Sequence, residues 1–307
     1  MQLVLSKHRA VAAPFGENRC SHSYAQVGFI VADAAECPGG VHLAEIRSQP
    51  VEKSLMPSPS APRILISLAT YNERENLAGL LREIRIHSPT CAILVTDDNS
   101  PDGTGTIADE LAGADPRIHV LHRAGKLGLG TAMLAGLRYA MEQNYDWFVN
   151  MDADFSHHPR YLPQLYEGMI DKDIMIGSRY IPGGGTAGWP MSRRLMSRGV
   201  NLLVRCLMRL PVRDASGGYR CYRLAHLRNV NLSGFLSLGY SFQEELLYRC
   251  YRAGARIGET PILFENRKEG SSKVNTWEAL RSMFVLLRLG LTSLFRLDGP
   301  KEALNAK

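Results

Sequence analysis

Much is missing from this 307-residue chain, and each gap removes a class of function. None of its six cysteines (Cys20, Cys37, Cys91, Cys206, Cys221 and Cys250) stands in a C-x-x-C pair. A chain this long can bury its own core without disulfides, so these are read as reduced thiols on a cytosolic face. There is no zinc-finger spacing and no basic run interleaved with aromatics, which sets nucleic acid aside as a partner. No apolar run reaches about 18 residues without a charge, so no transmembrane helix is expected. Lys7, His8 and Arg9 fall where the apolar part of a signal peptide would run. GKLGLG, with Gly125, Gly128 and Gly130, is not G-x-G-x-x-G after the first strand, and G-x-x-x-x-G-K-[ST] does not occur. A P-loop and an ordinary NAD site are therefore disfavoured. Internal repeats are absent as well.

What is present is a 45% hydrophobic chain with a formal charge of +6. That balance suits an anionic substrate or an anionic membrane surface. Residues 1–62 lack sustained periodicity and end in the spacer MPSPSAP. They are read as a poorly ordered extension, with translation starting at Met56 as a sharper expectation.

From Arg63 the pattern becomes regular. RILISLA (63–69), AILVTDD (92–98), RIHVLH (117–122) and DWFVNMD (146–152) read as strands. Helices are expected between them: over 73–87, with Leu77, Leu80, Leu81 and Ile84 on one face; in DGTGTIADELAG; and in LGTAMLAGLRYAMEQ. Strands alternating with helices predict an α/β fold, a parallel sheet covered on both faces. Ligands bind such sheets beyond the carboxyl ends of the strands. TYNE (70–73), DDNSPDG (97–103) and DADFS (152–156) all sit there.

Asp152 and Asp154 follow an apolar run and alternate to the same face. Two adjacent carboxylates repel, and a hard divalent cation such as Mg²⁺ or Mn²⁺ relieves this while bridging to phosphates. Ser156 continues the spacing and offers a weak or water-mediated contact. His157 and His158 favour softer metals, but adjacency makes joint ligation awkward. The plain alternative is a solvated strand-to-loop turn. At Asp97 and Asp98, one carboxylate can accept from a base or ribose, while Asp97 or Ser100 caps a helix beginning near Pro101. Tyr71 can stack on a base and Glu73 can accept from it, although Glu73 also reads as a first-turn helix charge.

ATYNERENL (69–77), DDNSPDGT (97–104), MDADFSHHP (151–159), GSRYIPGG (177–184), GWPMSRRLMSRG (188–199), SGGYRCYR (216–223) and GYSFQEELL (239–247) occur in this order. Together they resemble dolichol-phosphate mannose synthases, the polyprenyl-phosphate branch of the inverting GT-A glycosyltransferases. The resemblance runs from about Arg63 to about Val274. It implies a Rossmann-like nucleotide-sugar fold over 63–274, GDP-mannose as donor and a polyprenyl phosphate as acceptor. The nearest rivals are a glucosyl- or aminoarabinosyl-transferase using a uridine nucleotide and, in another class, a non-catalytic binding subunit. A processive polysaccharide synthase is disfavoured by the absence of Q-x-x-R-W. Ala69 stands where the family has a proline lining the base. Tyr71, Glu73 and Asp98 match donor-binding positions, and Asp152, Ala153 and Asp154 match the metal and diphosphate motif. Ser156 stands where some members have a glutamine metal contact. Arg179, Arg193 and Ser197 match positions that meet the acceptor phosphate. Arg267 and Lys273 match a basic segment over the donor. Glu244 and Glu245 fall near the base of alcohol-glycosylating relatives; an orienting role is preferred for Glu245, because a phosphate acceptor needs no strong base.

The residues themselves agree. Arg193 and Ser197 are four apart, hence on one side of a helix. Arg194, Arg198, Arg205 and Arg209 fall within a stripe of about 60°. Leu195, Leu202, Leu203, Val204 and Leu207 occupy much of the rest, so the helix suits either an anionic bilayer or a core with a solvated basic face. GGGTAG (183–188) reads as a mobile loop, with Trp189 its anchor or a packed core residue. TWEALRSMFVLLRLGLTSLFRL (276–297) predicts an amphipathic helix in the tail 275–307, with Arg288 arguing against spanning. The protein is thus expected at the cytoplasmic face of a membrane, held peripherally, with a small membrane-anchoring subunit as a further partner.

Overall fold

β1 (Ile64–Thr70) shows why the chain folds around a parallel sheet. Leu65, Ile66 and Leu68, which alternate across the strand, are all buried. A strand apolar on both sides needs cover on both, which is the place of a central strand between helical layers. β2 (Ala92–Asp97) is buried along its length, and β4 (Trp147–Asp152) everywhere but its ends. The structure, a computed structural model, describes residues 61–236, 239, 241–265 and 284–291. The expected N-terminal extension, the start at Met56, and Arg267 and Lys273 lie outside the described residues.

Helices alternate with these strands as the periodicity predicts: α1 (Arg74–His87), α2 (Thr104–Ala114) and α3 (Leu129–Glu142), with β3 (Ile118–His122) between the last two. α1 buries Leu77, Leu80, Leu81 and Ile84, the face its spacing marks. α2 begins later than expected. The Asp102 carboxylate accepts from the Thr104 N–H and hydroxyl, and Gly103 takes a left-handed φ of 87°, so the first turn forms at Thr104 and not near Pro101.

Beyond β4 the chain adds α4 (Leu162–Gly168), β5 (Ile174–Ser178), β6 (Gly185–Thr186), α5 (Met191–Met208), β7 (Arg220–Arg223), α6 (Leu224–Leu227), α7 (Phe242–Arg252), β8 (Ile257–Pro261) and β9 (Leu263–Phe264). The main sheet runs β3-β2-β1-β4-β7-β5-β8. β7 lies antiparallel to β4 and β5, while the remaining pairs are parallel. Residues of β1 divide the core between the two faces. Leu65 joins Leu137 of α3, Val204 of α5 and Leu246 of α7. Ile66 and Leu68 join Leu80 of α1, Ala108 of α2 and Leu165 of α4. α3 crosses the sheet so closely that a β-carbon on Gly136 would stand 2.5 Å from the Ser67 hydroxyl.

Two expectations change here. The glycine-rich 183–188 segment is not a loose loop: Gly185 and Thr186 form β6, paired in parallel with Leu263 and Phe264 of β9. The arginine stripe of α5 is shorter than its periodicity suggests. The helix ends at Met208, Arg209 turns to a left-handed φ of 51°, and Arg194 donates to the Thr186 carbonyl. Of the apolar positions, Leu195 and Leu202 are exposed, Val204 is in the core, and Leu207 packs beside Gly290. Within the predicted tail helix, 284–291 is helical, burying Val285, Leu286 and Leu289 and exposing Phe284, Leu287 and Leu291.

Candidate active site

The carboxyl ends of β2, β1 and β4 are neighbours in the sheet, so the three sequence motifs that follow them meet. Ala69 of β1 is in register with Asp152 of β4 on one side and with Thr96 of β2 on the other. A cavity of about 160 Å³ opens above these ends, lined by Ala69, Tyr71, Glu73, Asp98, Lys126, Asp152, Ala153 and Asp154, among others. Every donor-side residue expected from the sequence within the described region is therefore on one wall system. Lys126, whose Nζ lies 5.2 Å from the Tyr71 ring centre, was not singled out by sequence reasoning. Its flanking glycines are the only signal it carries.

Each loop above the strands contains a non-glycine residue in the left-handed region: Asn72 at φ 57°, Asn99 at 55° and Phe155 at 63°. Asparagine tolerates this conformation, whereas a bulky phenylalanine there is strained. Phe155 separates Asp154 from Ser156, and its buried ring lies 6.2 Å from that of His158. The surrounding packing thus enforces the turn that directs the two aspartates.

Asp97 and Asp98 divide their tasks. Asp97 accepts from the Ser100 hydroxyl at 2.5 Å, the Ser100 N–H at 3.0 Å and the Thr70 hydroxyl at 3.0 Å, tying the ends of β1 and β2 together. Asp98 lines the cavity. Burial raises its pKa above the ordinary carboxylate value, against the pull of Arg123. Arg123 Nη2 donates to Asp98 Oδ2 at 3.4 Å, while its Nε lies 2.8 Å from Asp98 Oδ1 without forming a directed hydrogen bond, so charge and one long hydrogen bond join them. Glu73 occupies the N-cap position of α1, and its side chain accepts from Asn76 at 2.9 Å.

Asp154 is buried, and its Oδ1 accepts from the Ser156 hydroxyl at 2.6 Å and the Ser156 N–H at 3.1 Å. Ser156 thus supports the carboxylate from behind and does not line the cavity. His157 is also turned inward. Its Nδ1 accepts from the Asp152 N–H at 3.0 Å, and its ring stacks on Tyr219. That hydrogen bond removes the Nδ1 lone pair from metal ligation. His158 points elsewhere, beside Glu83 and His87, and its Nδ1 accepts from the Arg160 N–H. The cavity therefore offers carboxylate oxygens from Asp152 and Asp154 without imidazole, a donor set that fits Mg²⁺ or Mn²⁺.

The residues expected to meet the acceptor lie on the next part of the sheet. Arg179, just past β5, is buried and held by Asp214 through Nε and Nη2, both at 2.7 Å. Arg193 is exposed on α5 and stacks over Trp189 with its guanidinium 3.9 Å from the ring centre. Trp189 is packed, edge-on to Phe264. Ser197 receives the Tyr180 hydroxyl at 2.6 Å. Arg179 lies 5.7 Å from the Trp189 ring, so that ring bridges the two arginines. Asp214, which fixes Arg179, escaped sequence reasoning; an acid two positions before SGGYRCYR was its only signal.

The glutamates of α7 differ from each other. Glu245 accepts from Arg249 at 2.7 Å and from the Leu236 N–H at 2.9 Å, so what it orients is the 231–236 loop. Glu244 is buried, and burial pushes its carboxyl up to about 7 against the pull of Arg220 and Arg179. Arg220 is itself fully buried and donates to the carbonyls of Gly217, Ala215 and Gln243.

The glycosyl transferase family 2 model matches residues 66–230. The undecaprenyl-phosphate mannosyltransferase of Micrococcus luteus is 43% identical over 231 residues, 75% of this chain and 95% of that protein. The polyprenol monophosphomannose synthase of Mycolicibacterium smegmatis is 42% identical over 238 residues, 77% of this chain and 89% of that protein. Two solved structures share the fold at low identity. Mannosyl-3-phosphoglycerate synthase from Rubrobacter xylanophilus superposes with a TM-score of 0.55 at 16% identity, covering 78% of this chain and 77% of that one. Glucosyl-3-phosphoglycerate synthase from Mycobacterium tuberculosis, in complex with Mn²⁺, UDP and phosphoglyceric acid, gives 0.53 at 16% identity, covering 78% and 80%. With three strand-end motifs on one cavity, a GT-A-type sheet behind them and relatives this similar, the chain is a member of glycosyl transferase family 2.

Proposed function

We propose that this enzyme transfers mannose from GDP-mannose to a polyprenyl phosphate with inversion, forming polyprenyl-phosphate mannose. The observation that carries the reading is the convergence of Asp152 and Asp154 with Tyr71, Glu73 and Asp98 on one cavity. The two relatives above, named for polyprenyl phosphate and mannose, support the choice of acceptor and sugar.

The chemistry follows from the acceptor. A phosphate monoester is largely anionic near neutral pH, so its oxygen can attack the anomeric carbon without a base. The bond from that carbon to the GDP oxygen breaks as the new one forms on the opposite face. The protein's tasks are then position and charge compensation. Tyr71, Asp98 and Glu73 hold the nucleoside; Arg193, Ser197 and the fixed Arg179 hold the acceptor phosphate. Asp152 and Asp154 would hold Mg²⁺ or Mn²⁺, which supplies positive charge for the departing diphosphate. Glu244 is too enclosed to serve as a general base for a bulky acceptor, and none is required.

Among the described residues no helix is long and apolar enough to cross a membrane. The exposed apolar side chains of α5 and of 284–291, beside arginines, favour a peripheral position on a bilayer face. The test is a product assay with GDP-mannose and UDP-glucose side by side, with polyprenyl phosphate and Mg²⁺ or Mn²⁺. Mannolipid from GDP-mannose is expected. Product from UDP-glucose alone would replace the donor assignment, and no product from either would overturn the reading.

A further inference from the structure

A second groove borders Arg179. It encloses about 640 Å³, and its charged lining consists of Arg179, Arg198, Arg205 and Arg213, with no acidic side chain among them. We propose that Arg198, Arg205 and Arg213 make this groove a second lipid-phosphate site, adjoining the acceptor position at Arg179, and that it takes the headgroup phosphate of an anionic phospholipid at the bilayer surface.

Three observations carry this. The first is placement. Arg198 and Arg205 are seven positions apart on α5, so they project within about 20° of each other. Arg213 reaches the same groove from beyond the helix end, with its backbone N–H fixed by Glu259 at 2.7 Å. The second is the lack of internal partners. Among the described residues, the side chains of Arg198, Arg205 and Arg213 form no ion pair, and the buried Nε of Arg205 has no acceptor. A buried donor without an acceptor is unfavourable, and phosphate oxygens match guanidinium forks. The third is the apolar rim. Leu202 lines the groove while remaining 59% exposed, and Met191 and Leu195 lie exposed on the same side of α5. Phosphate beside an apolar face is the chemistry of a phospholipid rather than of a free anion.

The groove borders the acceptor position through Arg179, whose Nε and Nη2 are taken by Asp214 and Ser216. Its other arginines, Arg198, Arg205 and Arg213, are not acceptor residues, and Arg193 projects about 140° around α5 from Arg198 and is stacked on Trp189. The inference rests on the peripheral-membrane reading but not on the transfer reaction.

The experiment is sedimentation of the intact chain with phosphatidylcholine vesicles, with and without phosphatidylglycerol. The R205Q/R213Q double variant, checked for folding by its melting curve, is compared with the charge-matched R82Q/R138Q. Loss of on the order of 5-fold in partition per groove arginine is expected, only on vesicles containing phosphatidylglycerol. The charge-matched variant should bind like the parent. Equal loss in both variants would mean diffuse attraction and overturn the site, as would undiminished binding of R205Q/R213Q. Release of the parent protein by inorganic phosphate at constant ionic strength would make it a free-anion site and overturn the lipid assignment. None of these readouts uses turnover, so they stand or fall separately from the mannosyl-transfer assay.

Discussion

Arg179 and Asp214 form a closed fork: Nε and Nη2 of the arginine donate to different oxygens of the carboxylate, each at 2.7 Å. The Arg179 backbone N–H donates to the same carboxylate at 2.9 Å, and Asp214 is fully buried. Such an arginine cannot swing towards a ligand. It presents a fixed edge, with Ser216 taking a further bond from Nη2 at 2.9 Å. Burial opposes the Arg179 charge, and the hydrogen bonds and charge of Asp214 more than restore it.

Asp214→Asn should therefore act on stability and on acceptor use together. One donor of the fork loses its partner while the arginine stays buried, a change that typically costs on the order of 3 kcal/mol. A denaturant melt reads that loss. In the same variant KM for polyprenyl phosphate should rise, while the affinity for GDP-mannose stays within about 2-fold. A stability loss with unchanged acceptor KM would reduce Arg179 to a structural role.

Ser156 supplies a different test, because its hydroxyl reaches Asp154 at 2.6 Å from outside the cavity. A supporting group of this kind tunes metal affinity by about 10- to 100-fold. Ser156→Ala should raise the Mn²⁺ concentration needed for half-maximal transfer by about 10-fold, with saturated turnover largely restored. Asp154→Ala should abolish transfer at any metal concentration while leaving the fold intact. If saturating Mn²⁺ fully rescues Asp154→Ala, the aspartate is not a ligand.

The front of the molecule was legible in the sequence because its signals are local. The apolar runs of β1, β2 and β4 and the periodic faces of α1 and α3 lie in continuous stretches, and acidic motifs mark where strands stop. The back was harder. β7 reads RCYR, four residues with two arginines, and only its neighbours β4 and β5 make it a strand. β6 is two residues inside a glycine run, stabilised by a partner some 78 positions later. Asp214 and Lys126 matter through residues distant in sequence or through a ring beside them, and composition carries no trace of that. The stripe on α5 was misread at its end because helical periodicity cannot show where Arg209 leaves the helix.

Glu244 predicts a pH dependence of stability. Unfolded, its carboxyl ionises near the ordinary 4.5; folded, burial holds the proton on until about 7. Between those values the folded state binds more protons, so this group's contribution is greatest in acid and falls as pH rises through that window. Glu244→Gln, which is never charged, should gain relative to the parent on going from pH 5 to pH 8. The difference should be on the order of 3 kcal/mol. Melting temperatures of the two proteins across that range decide it, and a constant difference would show that the side chain is ionised throughout.

The tightest backbone approach behind the acceptor residues is at Gly184. A β-carbon there would stand 2.4 Å from the Ser178 carbonyl oxygen and 3.1 Å from the Arg179 carbonyl carbon. Both obstacles are backbone, so neither can rotate away. Gly184→Ala must push β6 from the end of β5, which should cost about 1 to 3 kcal/mol as other overpacked sites do. Gly183→Ala is the natural comparison. Its φ of 87° is strained for alanine, but the nearest atom to the new carbon is a Pro261 side-chain carbon at 3.4 Å. That variant should lose about 1 kcal/mol and leave the Arg179 fork in place. Because the Gly184 displacement bears on the backbone of Arg179 itself, only Gly184→Ala should also raise the acceptor KM. Equal KM values in the two variants would mean that Arg179 is held by Asp214 alone and not by the β5–β6 connection.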